Sequence, residues 1–228
     1  MSRPLVLFDC DGTLIDGQHA IVETMRAAFV LHQLAPPNGD SVRRVIGLRL
    51  DEAIARLHPG EAHTIAALTS AYRQIMPQLR RRPDHHEPIY PGMRELVEEL
   101  AGNGVNLGVV TGKSLVHLRQ SLSMHGIDAH FRTLQTPDNA PGKPDPGMVL
   151  QAMAETGGRP ESTVVVGDTT FDMQMARAAG VTAIGVAWGY HDPCQLEVSG
   201  AHHVAQDVAD LAALLEGATG WRAERTVS

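Results

Sequence analysis

Four short apolar runs, three of them cut off by polar groups, constrain the fold of this chain more than any other feature. Residues 4–8 (PLVLF), 105–110 (VNLGVV), 163–166 (TVVV) and 182–186 (TAIGV) are β-rich and continuous rather than alternating. Strands of that kind are buried on both faces. Helical patterns at 92–101 (GMRELVEELA), 114–124 and 147–155 lie between them. Strand–helix alternation predicts an α/β fold, a Rossmann-like, doubly wound parallel sheet covered by helices. Ligands of such sheets bind outside the carboxyl ends of the strands. The residues that follow each run are therefore the ones to inspect.

The alternation is interrupted from about Asp16 to Pro83, where only helices are predicted. Ile21, Met25, Ala28 and Phe29 share one helical face, and 51–57 and 62–79 are further helices, with Pro77 expected to end or kink the last. The breaker APPNGD (35–40) and the polar RRRPDHHEP (80–88) surround them. The expected organisation is an α/β core of 1–15 and 84–228 with an inserted helical domain of 16–83. Hinges fall near Asp16–Gly17 and Arg82–Pro88. The tail after Gly217 is expected to fray.

Composition narrows the partners. The 228 residues carry 26 acidic and 19 basic side chains, a formal charge of −7. That balance argues against a nucleic-acid or anionic-membrane surface. No apolar run approaches a membrane span, and the start MSRPLVLFDCDGT lacks the pattern of a signal peptide, so a cytoplasmic protein is expected. Cys10 and Cys194 are expected as free thiols, and the twelve histidines, without metal-ligand spacing, as mainly surface residues. Only two lysines stand among the basic residues, Lys113 and Lys143.

Asp9-Cys10-Asp11-Gly12-Thr13 follows the first run. Residues i and i+2 of an extended chain point the same way, so both carboxylates can address one site, where they repel unless a cation or proton lies between them. A calcium loop is ruled out, because Ala20 stands where its last ligand should be. Thr111-Gly112-Lys113 follows the second run and leads into a helix, either an anion cradle or a plain turn. Gly142-Lys143-Pro144-Asp145-Pro146 is a rigid loop before another helix. Gly167-Asp168-Thr169-Thr170-Phe171-Asp172 follows the third run, and its carboxylates could equally be helix caps. Together these loops would bring three or four carboxylates, one lysine and one threonine to a single sheet edge, a set suited to Mg²⁺ and phosphate. Of the two lysines, Lys143 is the one expected to face the carboxylates.

In order and spacing, DCDGTL (9–14), VVTGK (109–113), GKPDP (142–146) and GDTTFDM (167–173) resemble the four signature motifs of the haloacid dehalogenase superfamily. GVAWGYH (185–191) and GAHHV (200–204) resemble its phosphoglycolate phosphatase-like branch, which carries a helical cap. The resemblance implies a Mg²⁺-dependent phosphatase acting on a small phosphorylated substrate. Asp9 would be the nucleophile, forming an aspartyl-phosphate, and Asp11 the acid and base. Asp9, the Asp11 carbonyl and Asp168 would hold Mg²⁺, with Asp172 acting through water or orienting Lys143. Thr111, Gly112 and Lys143 would bind the phosphoryl oxygens, and cap movement would exclude water.

Departures from the family pattern are small. Cys10 replaces a larger apolar residue and is expected to be inert; Gly17 replaces a common Ser and bears on the hinge. In the cap loop Gly47-Leu48-Arg49-Leu50, Arg49 could pair with a substrate carboxylate or second phosphate, or simply be an exposed helix-start residue. Arg80–Arg82 is expected to be a solvated run. A phosphomutase of the same family, and a non-catalytic metabolite sensor, are the alternatives to a phosphatase. A monomer or homodimer is expected.

Overall fold

The computed structural model describes residues 3–221. Six parallel strands form one sheet in the order β3-β2-β1-β4-β5-β6. They are β1 (Leu5–Phe8), β2 (Asn106–Val110), β3 (Phe131–Gln135), β4 (Thr163–Gly167), β5 (Thr182–Val186) and β6 (His203–Ala205). Successive residues of the inner strands enter opposite cores. Val6, Phe8, Leu107, Val109, Val164 and Val166 pack beneath α5 (Met93–Gly102), α6 (Leu115–Met124) and α10 (Val208–Thr219). Leu5, Leu7, Val110 and Val165 pack against α7 (Gly147–Thr156), α8 (Thr170–Ala178) and α9 (Pro193–Val198). This two-sided burial is the physical reason the runs read as continuous.

The four predicted strands form near their expected bounds, and two edge strands join them. β3 alternates between buried and exposed residues, and β6 has three residues. Neither carries an inner strand's continuous pattern, because each is paired along one side only.

Between β1 and α5 lie four helices: α1 (Gln18–Leu31), α2 (Gly39–Arg43), α3 (Leu50–Leu57) and α4 (Ala62–Arg80). Met25, Phe29, Val42, Ile54 and Leu68 give them a hydrophobic cluster of their own. α2 begins inside the expected breaker, capped by Asn38, whose side chain accepts from Ser41 N at 2.7 Å. α4 does not end at Pro77 but runs on to Arg80. Burial of Met76 and Leu79 against Ala20 holds that last turn in place despite the missing N–H.

The C-terminal end is also more ordered than expected up to Trp221. α10 continues to Thr219, and the Trp221 ring is buried in the larger core. The rest of the tail, 222–228, lies outside the described residues. No helix among the described residues is long and apolar enough to cross a membrane.

Candidate active site

β1, β2 and β4 are neighbours, so the loops after them share one edge of the sheet. Asp9 emerges from β1 with its N–H on Val166 O of β4 at 2.8 Å, which fixes the loop at the start of its turn. Lys143 reaches the same point from the loop before α7 and is wholly buried. Its Nζ lies 2.9 Å from Asp9 Oδ1 and 2.6 Å from Asp172 Oδ1. Burial pulls the pKa of that ammonium down, but the two carboxylates hold it above the ordinary lysine value.

Asp168 is fixed from the protein side. Thr13 Oγ1 donates to Oδ1 at 2.9 Å, and Tyr190 N to Oδ2 at 2.9 Å. Gly12, at φ +86°, and Gly189 both close over this carboxylate, where any Cβ would strike it. Asp172 commits Oδ2 to a capping box at the start of α8, accepting from Thr169 N at 3.1 Å and also from Thr169 Oγ1 at 2.6 Å, and turns Oδ1 to Lys143.

Asp9, Asp168 and Asp172 offer carboxylate oxygens within 4.8 Å of one another, all buried. Asp9 Oδ1 already takes the Cys10 N–H at 2.6 Å and Lys143, whereas Oδ2 is buried with no partner among the described residues. Burial lifts the Asp9 carboxyl to about 7, against the pull of Lys143. Asp168 is lifted by burial and by neighbouring Asp9. Three crowded carboxylates with one oxygen unsatisfied fit a hard cation, whose charge would supply what one lysine cannot.

Above these residues is a cavity of about 420 Å³, lined by Asp9, Asp11, Thr111 and Gly112 and closed by Leu48 of the loop before α3 and by Tyr72 and Met76 of α4. Thr111 is buried beside Asp9's strand, its Oγ1 accepting from Lys113 N at 3.3 Å. The loop before α3 rests on the opposite side. A Cβ on Gly112 would collide with the Gly47 and Leu48 carbonyls, and one on Gly47 would press on Thr169. Arg49 lines the cavity as the N-cap residue of α3, but its guanidinium is 3.3 Å from Asp51 and its side chain is 44% exposed.

Several residues sit differently from their sequence expectation. Lys113 faces the carboxylates as well as Lys143: its Nζ is 3.0 Å from Asp11 Oδ1. Arg80 is not solvated; it grips the buried Glu87. His85 and His191 are buried, the latter accepting from Thr170 N at 3.2 Å and meeting Phe171 edge-on. Gly17 does more than mark a hinge, since a Cβ there would come 2.6 Å from Asp11 Oδ1. Cys10 is buried and Cys194 exposed, both as free thiols.

Residues 6–186 match the model of the haloacid dehalogenase-like hydrolases. The chain belongs to that family. This hydrolase is 35% identical over 202 residues to the "Probable phosphatase IndB" of Dickeya dadantii, covering 86% of each chain. It is 32% identical to a phosphoglycolate phosphatase of Pseudomonas putida, covering 93% of this chain and 79% of that one. A solved hydrolase from Pseudomonas syringae superposes with a TM-score of 0.83 at 26% identity, covering 94% and 99%. Within the family the hydrolase stands with the phosphatases of the phosphoglycolate phosphatase-like branch.

Thr13, Gly189, Tyr190 and Lys113 are the site residues missed as such by sequence reasoning. The first belongs to the DCDGTL motif, the next two to GVAWGYH and the last to VVTGK, so each motif carried a signal without a role.

Proposed function

We propose that this chain is a Mg²⁺-dependent phosphatase, a phosphoric monoester hydrolase that acts on a small metabolite of the phosphoglycolate type through an aspartyl-phosphate. The observation that supports it best is the free Asp9 Oδ2, buried at the floor of the cavity with Lys143 against its sister oxygen. In this reading 16–83 is the cap and the remainder the catalytic core.

Asp9 attacks phosphorus through one carboxylate oxygen, forming an O–P bond as the bond to the alcohol oxygen breaks. Asp11 donates a proton to that leaving oxygen, then takes one from the water that attacks the phosphoryl group and releases Asp9. Lys143, Thr111 and the Gly112 N–H hold the phosphoryl oxygens while charge builds on them. Asp172 keeps Lys143 in place through its short ion pair. The metal, held by Asp9, Asp168 and the Asp11 carbonyl, would neutralise charge between the carboxylates and the phosphoryl group. The loop around Leu48 keeps water out of the cavity during transfer.

The test is turnover of p-nitrophenyl phosphate with Mg²⁺ by the native chain and by Asp9→Asn. Loss of activity in a variant that remains folded is expected. Normal turnover by that variant would refute the nucleophile assignment. Sugar phosphates separate hydrolysis from mutase chemistry, since free phosphate marks the first and an isomerised sugar phosphate the second.

A further inference from the structure

The wall of the cavity beside Asp11 holds cationic groups that phosphoryl transfer does not use. Lys113, 8% exposed, has Nζ 3.0 Å from Asp11 Oδ1 and 3.4 Å from Ser121 Oγ. Arg80, on the last turn of α4, has Nη2 3.5 Å from the same Ser121 Oγ. An ammonium and a guanidinium thus converge on one buried hydroxyl. Like charges held this close are stabilised by an anion between or in front of them.

Arg80 is clamped from behind. Its Nε and Nη2 donate to Glu87, at 3.1 Å to Oε1 and 3.0 Å to Oε2, and Glu87 is 1% exposed. Arg80 lines the cavity and Glu87 does not. Nη1 of Arg80 is buried without a partner among the described residues. A guanidinium donor in that state lacks an acceptor that the folded chain does not provide. Arg49, the cation that sequence alone suggests for this purpose, is engaged with Asp51 and partly exposed.

We propose that Arg80 and Lys113 receive a second oxyanion of the substrate, carried by the leaving alcohol. This rests on the phosphatase reading above. Asp11 serves the oxygen of the leaving alcohol, and Lys113 touches Asp11, so the second acidic group lies only a few bonds from the ester oxygen. The substrate class is then a short phosphate monoester with an acidic group at its other end. Ser121 holds the two cations in register, and Glu87 fixes the plane of the guanidinium.

The experiment compares kcat/KM for three esters in the full-length, Mg²⁺-loaded protein: phosphoglycolate, a short bisphosphate, and the uncharged 2-hydroxyethyl phosphate. The native chain is expected to prefer one of the charged esters, and the preferred one identifies the oxyanion as carboxylate or phosphate. Removing a charge-assisted hydrogen bond should lower that preference by about 10- to 100-fold, mainly through KM. This ratio is read for Arg80→Gln and Lys113→Met. Since Arg80→Gln leaves Glu87 buried without its cation, Arg80→Leu combined with Glu87→Leu removes both charges and guards against misfolding. Arg80→Lys, which restores a charge, should recover part of the preference. Equal use of charged and neutral esters by the native chain, or an unchanged ratio in the double variant, overturns the proposal. Turnover of none of the three by a protein that hydrolyses p-nitrophenyl phosphate also overturns the proposal, whereas inactivity on p-nitrophenyl phosphate as well overturns the phosphatase reading.

Discussion

Lys143 Nζ lies 2.9 Å from Asp9 Oδ1, and neither side chain reaches solvent. This pair joins the carboxylate proposed to attack phosphorus to the cation proposed to receive the phosphoryl charge. Lys143 therefore has a structural duty, since it also binds Asp172 at 2.6 Å. Lys143→Met would leave three buried carboxylates with no ammonium. Breaking such a pair costs about 3–5 kcal/mol. The variant is expected to melt lower without metal, to regain part of the loss in Mg²⁺, and to lose about 100-fold or more in kcat. Thermal denaturation with and without metal, beside steady-state kinetics, checks both effects.

The metal-free protein should have a distinctive pH response. Asp9 keeps its proton to about 7 in the folded chain, against 3.8 as an ordinary carboxyl, because burial outweighs the pull of Lys143. The folded state thus binds more protons than the unfolded across that window, and stability contributed by this group falls as pH rises through it. A divalent cation competes with the proton, so Mg²⁺ should stabilise the protein more at about pH 8 than at about pH 6. Tm measured at both values, with Asp9→Asn as the control that flattens the difference, decides the matter. Stabilisation that is independent of pH would count against Asp9 as a ligand.

Gly112 fits beneath the loop before α3 only because it lacks a side chain. In Gly112→Ala the new methyl would press on the backbone carbonyls of Gly47 and Leu48, which cannot rotate aside as a side chain can. The strain is of the size of core overpacking, about 1–3 kcal/mol. It is relieved by lifting the loop from the core, so the expected result is a folded protein with KM raised and kcat lowered. Retained circular dichroism with unchanged kinetics would show that the loop does not need this seat.

The two thiols should behave oppositely. Burial pushes the Cys10 thiol far above the ordinary range, and the side chain is closed to solvent, whereas Cys194 is exposed. A thiol-specific chromogenic reagent is expected to titrate Cys194 alone in the native protein and both residues after unfolding. Rapid native modification of Cys10, with loss of activity, would overturn this.

Much of this protein was legible from sequence because burial leaves a local record. β1, β2, β4 and β5 are apolar along most of their length because both faces are covered, and the polar residues that follow β1, β2 and β4 mark the edge where a site can form. The parallel α/β core and the convergence of Asp9, Asp168, Asp172 and Lys143 follow from that pattern, since motif order and a parallel sheet bring their loops together.

Other features depend on partners distant in the chain and left no such record. β3 and β6 lie at edges with mixed faces, so their pairing is decided by the sheet rather than by their own residues. Pro77 stays within α4 because Met76 and Leu79 on either side of it are buried against Ala20 of α1, a contact that propensity cannot anticipate. Arg80 opens a run of three arginines that looks solvated, yet Glu87 and Ser121, 41 positions away, draw it inside. Lys113 is no different in sequence from a helix-start lysine until the fold sets it 3.0 Å from Asp11. Sequence alone determined which residues would gather at the sheet edge, because strand burial and loop position are local properties. Tertiary structure decided which oxygen is free and which cations are shared, because charge pairing is settled by proximity in space.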